Sequence, residues 1–172
     1  MCRSEMKVTS KGAEMGLDLL GISDNYLDRH GPEGLTYPSE DLIRIFKGSY
    51  PSHNFSSDNY ANSTVCELSV GDGRNVRFLD TLGFSKVFGT EITEEMADVA
   101  TKKLRQVGVN MEILVASNLH TPFDEAELDY LISWNSCYYV ESVGDFAEHV
   151  IEFGRILKSG GKLVLSIPME SH

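Results

Sequence analysis

The chain has only three cysteines in 172 residues, Cys2, Cys66 and Cys137, and they stand at no metal-ligand spacing. An odd and scattered set of thiols points to a reducing compartment rather than a disulfide framework. Positive charge is also scarce: 15 Lys and Arg stand against 26 Asp and Glu, a formal net charge of −11 at pH 7. A nucleic-acid partner would call for a clustered basic face, and here the basic residues are dispersed. No apolar run approaches the roughly 20 residues of a membrane span. The opening MCRSEMKVTSKGAEMG lacks the apolar stretch of a signal peptide. Internal repeats and low-complexity tracts are missing as well. These absences predict a cytoplasmic globular domain with no nucleic-acid partner, no membrane partner and no metal.

What is present divides unequally. Residues 1–60 read as an arm with one helix, and residues 61–172 as an α/β domain. Up to about residue 36 the arm mixes glycine, charge and isolated apolar residues, with a turn signal in GPEG at 31–34. It reads either as a lid or as surface. YPSEDLIRIFKG then predicts a short helix, with Ser39 as N-cap, Glu40 and Asp41 in the positive first turn and Gly48 at the end. SYPSHNFSSDN is a polar linker.

From Thr64 the pattern alternates. TVCELSV, KVFGTEI, MEILVA, LDYLIS and KLVLSIP read as strands. Between them, GRNVRFLDTLG carries Val76, Leu79 and Leu82 on one face. TEEMADVATKKLRQVG is capped by Thr93, with a stripe of Met96, Ala100, Leu104 and Val107. GDFAEHVIEFGRILKSGG turns Phe146, Val150, Phe153 and Leu157 inward. Strands alternating with helices of this length predict a doubly wound, mostly parallel sheet of Rossmann-like type, covered on both faces.

Ligands of such sheets sit beyond the carboxyl ends of the strands, where strand order reverses. There Gly71 and Gly73 permit positive φ and close approach, and the next helix offers its free N–H groups. Glu91, ending the second strand, is placed to accept hydrogen bonds from two vicinal ribose hydroxyls. A dinucleotide site would call for a third glycine, and Val76 stands at that position.

The set Glu67, Ser69, Gly71 and Gly73 resembles the first motif of the class I S-adenosylmethionine-dependent methyltransferases, an acid followed by glycines at alternate positions, with Ser replacing the first glycine. The resemblance runs over residues 64–168. It takes in GTEIT, the segment ILVASNLHTPFDEAELDYLIS, the loop WNSCYYV and the helix-to-strand turn FGRILKSGGKLVLSIP. It implies S-adenosylmethionine as cofactor, S-adenosylhomocysteine as product and in-line methyl transfer to a small-molecule acceptor.

Carried over by position, it implies donor contacts from Glu67, Ser69, Gly71, Asp72, Gly73, Glu91 and Ile92. Further contacts fall to Ser117, Asn118 and Leu119 at the adenine, where an Asp often stands in place of Ser117, and to Trp134 and Asn135 after the fourth strand. Each has a plainer reading: Glu67 as a surface acid, the glycines as turn formers, the aromatics as cover for the sheet end. Tyr138, Tyr139, Tyr26 and Tyr37 are the acceptor-side candidates. Cys137 reads as a filler, and His30, His53, His120 and His149 as surface or structural residues. No general base is named.

The family's sheet has seven strands and this chain stops just past the fifth. That implies a fragment, a partner that completes the edge, or a minimal fold, and an open fifth-strand edge favours self-association. Ser69, Ser117 and the early end leave a second reading open, a donor-binding or partner-binding module without catalysis.

Overall fold

The computed structural model describes residues 34–48, 55–138 and 143–168. The chain divides into two compact units, 1–34 and 35–172. The arm before residue 34, with Tyr26, lies outside the described residues, as do Tyr139 and most of the polar linker.

In the second unit, helix α1 (Glu40–Lys47) and a 3-10 turn (Ser57–Asn62) precede strand β1 (Thr64–Glu67). Then follow α2 (Arg74–Asp80), β2 (Lys86–Glu91), α3 (Glu94–Gln106), β3 (Leu114–Val115), β4 (Leu128–Ser133), α4 (Val143–Ile156) and β5 (Leu157–Leu165). All pairings are parallel, in the order β3-β2-β1-β4-β5. Strand order therefore reverses between β1 and β4. The expected doubly wound α/β fold is what the chain adopts.

Alternation along the strands supplies both faces of the sheet. Val65, Tyr130 and Ile132 point to one side, where Leu42 and Phe46 of α1 and Leu79 of α2 cover them. Cys66 and Leu131 point to the other, against Phe153 and Ile156 of α4. Tyr60 anchors the first side: it stacks on Phe84 at 4.4 Å between ring centroids and donates its hydroxyl to the Phe46 carbonyl at 3.1 Å. Burial pushes that phenol up to about 12.

Local details depart from the sequence pattern. Ser39 makes no side-chain cap; its main-chain N–H is used elsewhere. Thr93 caps α3 as expected, accepting from the Met96 N–H. On α3 the buried stripe is Met96, Ala97, Ala100 and Leu104, and Val107 past its end is exposed. On α4 the polar His149 and Glu152 take buried places, and Val150 faces outward. MEILVA forms only a two-residue strand. The Gly-Gly turn lies inside β5: Leu157 pairs with Leu128 and Lys162 with Tyr130, so residues 158–161 loop out of the ladder.

The missing third glycine has a structural replacement. Val76 of α2 faces Gly89 of β2, where an added Cβ would lie 3.5 Å from Val76 Cγ2. The same Cβ would stand 2.7 Å from Val70 Cγ1 and 2.8 Å from Ile113 Cδ1. The small residue that lets helix and strand approach stands on the strand instead of the helix. Gly89→Ala should therefore destabilise the domain by roughly 1–3 kcal/mol, the usual cost of overpacking. Urea unfolding of the two proteins measures this, and Ile113→Val should recover part of the loss.

Candidate functional site

Strands β1 and β2 run side by side and each ends in a carboxylate. Glu67 pairs in register with Gly89, two residues before Glu91. Both acids are withdrawn from water, with 1 % and 4 % exposure. Desolvation raises both, because a charge loses hydration in this environment. For Glu67 the rise reaches about 8. A hydrogen bond from Asn75 and the charge of Arg74 oppose it, and Asp72 and Glu91 add to it. Glu67 thus holds its proton at neutral pH. Its Oε1 accepts from Asn75 Nδ2 at 2.8 Å, whereas Oε2 is buried without a partner among the described residues. The reading of Glu67 as a surface acid is corrected.

The loop between β1 and α2 takes its shape from alternate positions. Ser69, Gly71 and Gly73 have φ of 55°, 59° and 79°. The alternate spacing of the motif is thus the spacing of left-handed residues. Ser69 adopts at the first position a conformation that costs an L-residue roughly 1–2 kcal/mol. Gly71 donates its N–H to Glu91 Oε1 at 2.5 Å, and Ile92 donates its own to Oε2 at 3.1 Å. Gly73 opens α2, and a Cβ there would meet Leu104 at 3.1 Å.

Residues 35–39 lie strapped across this loop. Leu35 donates its N–H to Asp72 Oδ2. Arg74 Nη1 donates to the Tyr37 carbonyl at 3.3 Å, and Ser39 donates its N–H to Asn75 Oδ1 at 2.9 Å. Asn75 is therefore a bridge, receiving from the strap and giving to Glu67. Sequence reading passed over it. Its signal was a polar side chain beside Val76 on a helix face meant for the core.

The turn after β3 forms another wall. Ser117 Oγ accepts from the Leu119 N–H at 3.1 Å. The Leu119 N–H is thus used within the turn. Asn118 Oδ1 lies 3.5 Å from Ser69 Oγ, linking this turn to the glycine loop. Ile92 sits half-buried at the exit of β2.

Beyond β4, Trp134 packs against the α1 side of the core. Asn135 has φ 56° and is held by Ser166, which accepts its N–H at 2.6 Å and donates to its Oδ1 at 2.9 Å. Buried Ser136 donates to the Leu68 carbonyl at 3.3 Å, tying the β4 exit to the β1 exit. Cys137 is fully buried, and burial pushes its thiol up, so it is no thiolate nucleophile. His149 is buried, with Nδ1 3.3 Å from the Cys137 carbonyl oxygen and its ring stacked on Phe153. Tyr138 packs partly into the α4 side of the core, whereas Tyr37 is 80 % exposed. Among the described residues no group of three or more His, Cys, Asp or Glu could hold a metal ion, and no helix is long and apolar enough to cross a membrane.

Residues 66–165 match the family model described as "Methyltransferase domain". No curated protein matches the chain in sequence. Among solved structures, a protein from Pyrococcus horikoshii aligns at 24 % identity and TM-score 0.60, over 76 % of this chain and 61 % of its own. Phosphoethanolamine N-methyltransferase 1 from Haemonchus contortus, in complex with phosphoethanolamine and S-adenosylhomocysteine, aligns at 18 % identity and TM-score 0.59, over 86 % and 31 %. A protein from Methanococcus maripaludis described as an S-adenosyl-L-methionine-dependent methyltransferase aligns at 20 % and 0.55, over 96 % and 66 %. At these identities the likeness establishes the fold. This chain spans no more than about two thirds of the length of any of the three.

The buried acid sets a pH dependence. Glu67 binds its proton more tightly in the folded state (about 8) than at the ordinary value of 4.5. Its contribution is fully present below about 4.5 and is lost as pH rises toward 8. Glu67→Gln, which keeps the neutral shape, should lose this slope. Relative to wild type it should gain more than about 1 kcal/mol between pH 5.5 and 8.5. Parallel urea titrations at the two pH values check this, and equal slopes would count against a buried, protonated Glu67.

Proposed function

The chain belongs to the methyltransferase-domain family, the class I S-adenosylmethionine-dependent methyltransferases, and on that premise we propose that it binds S-adenosylmethionine at this site and transfers the methyl group to a small-molecule acceptor. One observation carries the reading: two desolvated carboxylates flank a glycine loop at the point where strand order reverses, and Glu67 Oε2 lacks a partner. The ammonium group of a donor favours the ionised form of Glu67 and gives its Oε2 a hydrogen-bond partner, and vicinal hydroxyls meet Glu91, so the residues fit the group.

In this reading Glu91 uses its remaining lone pairs on the ribose while Gly71 keeps its loop seated. Glu67, Asp72 and Gly73 hold the methionine end, with Ser69 beside them. Ile92, Ser117, Asn118 and Leu119 border the base, the last by apolar contact. Trp134 and Asn135 close the β4 side, and Tyr37 and Tyr138 belong to the acceptor side. Bound S-adenosylmethionine supplies an electrophilic methyl on a sulfonium leaving group. The contribution of the chain is orientation and exclusion of water. Cys137 and His149 are committed to the core, so neither is assigned as base. The acidic balance of the chain suits a neutral or cationic acceptor.

The division proposed is a donor-binding domain over 61–172 with an arm over 1–60. Among the described residues strand β5 pairs only with β4, and exposed Leu163 and Ile167 lie on or just past it. Pairing between two copies along that edge is part of the proposal. A second reading, donor binding without catalysis, draws on Ser69 and Ser117, the second of which has its hydroxyl engaged by Leu119. Tight binding with no S-adenosylhomocysteine formed across a broad acceptor panel would favour it.

Calorimetry tests the main reading. Wild type should bind S-adenosylmethionine and S-adenosylhomocysteine, and Glu91→Ala should weaken both more than tenfold, about 1.4 kcal/mol. No heat at millimolar ligand from the folded chain would overturn it.

A further inference from the structure

A carboxylate away from the strand ends holds one wall of the site. Glu152, near the end of α4, has a side chain only 9 % exposed. It accepts from the Thr121 N–H at 2.8 Å and the Thr121 hydroxyl at 2.6 Å. It also accepts from Arg155 Nε and Nη2, both at 2.7 Å. The Arg155 hydrogen bond leads in drawing this carboxyl down to about 2, so it is ionised at neutral pH.

The helix end adds two more holds. The Arg155 carbonyl accepts from the Ala126 N–H at 2.8 Å, and that of Ile156 accepts from the Glu127 N–H at 2.9 Å. Between these points Phe123 is buried, with its ring 5.3 Å from that of Phe88. Segment 121–127 is thus clasped to α4 at both ends. Immediately before it stands the 117–120 turn, closed by the Ser117–His120 bridge and reaching Ser69 through Asn118. Asn118 is three residues from Thr121, so the chain lets it move no more than about 10 Å from that anchor.

A helix-surface ion pair alone contributes little. This one differs because half of the carboxylate's bonds go to the loop. Removing its charge weakens the hold on Thr121 while leaving the rest of α4 in place.

We infer that Glu152 is a positioning residue for the donor site: through Thr121 it fixes the Ser117–Asn118 turn, and thereby sets discrimination at the amino group of the donor's base. The inference rests on the donor-binding reading above and extends it to a residue outside the strand ends. A turn held in place offers its polar groups at one position, and a site built to pair with an amino group rejects the analogue that lacks it. A turn released from Thr121 pairs less well with the amino group but keeps its shape-based contacts.

The test compares S-adenosylhomocysteine with S-inosylhomocysteine, in which that amino group is replaced by oxygen, by calorimetry on the full chain. Wild type should prefer the first. Glu152→Gln and Thr121→Val should each weaken S-adenosylhomocysteine about fivefold or more and change the inosyl analogue less than twofold. Thr121→Ser, which retains the hydroxyl, should restore the preference. Should Glu152→Gln not fold, Thr121→Val carries the same comparison. A parallel loss for both ligands, or no loss for either, overturns the inference and leaves donor binding standing. No binding of either ligand by folded wild type overturns the donor-binding reading and this inference together.

Discussion

The structure depends on keeping two carboxylates out of water at the ends of adjacent parallel strands. Each places polar oxygens in a medium that cannot hydrate them, so each needs a hydrogen-bond partner from the chain or from a ligand. Glu91 is met by main-chain N–H groups of Gly71 and Ile92, which is why the loop after β1 folds back over the end of β2. Glu67 is met on one oxygen by Asn75. Asn75 is in turn met by Ser39, so the segment ahead of α1 is drawn onto the loop by the same requirement. Glycine spacing, strap and bridging amide all follow from where two acids are buried.

The other walls obey a similar rule with weaker groups. The exit of β4 carries Ser133 and Ser136 and the exit of β5 carries Ser166, whose hydroxyls bond to one another or to main-chain groups at neighbouring strand exits. These short side chains reach only adjacent atoms, so they fasten the ends of β1, β4 and β5 to one another. Cys137 and His149 complete that fastening from the α4 side.

The fold was legible because strand and helix periods are strong signals where the apolar stripe is long. β2, β4 and α3 fall within a residue or so of their expected bounds. β3 was not, since the ladder with β2 holds only two residues of MEILVA. The inner face of α4 was misjudged because His149 and Glu152 are buried by hydrogen bonding, which hydropathy does not register. At the site, Glu67, Gly71, Gly73 and Glu91 stood out as acids and glycines at strand ends. Asn75, Thr121 and Glu152 did not. Their bonds to Glu67, to Ser39 and between Thr121 and Glu152 span 8 to 36 residues, and no local pattern announces a contact formed only when the sheet closes.

The exchange between Gly89 and Val76 has a consequence for how such chains diverge. Residues 70, 76, 89 and 113 come from a loop, a helix, a strand and the lead-in to another strand, yet their side chains compete for one volume. What the packing limits there is the sum of four sizes, and no single one of them. A relative that restores glycine on the helix is free to enlarge the strand position, and one that enlarges the strand position without doing so must shrink residue 70 or 113. Substitutions at these four positions should therefore be coupled although they lie far apart in the chain.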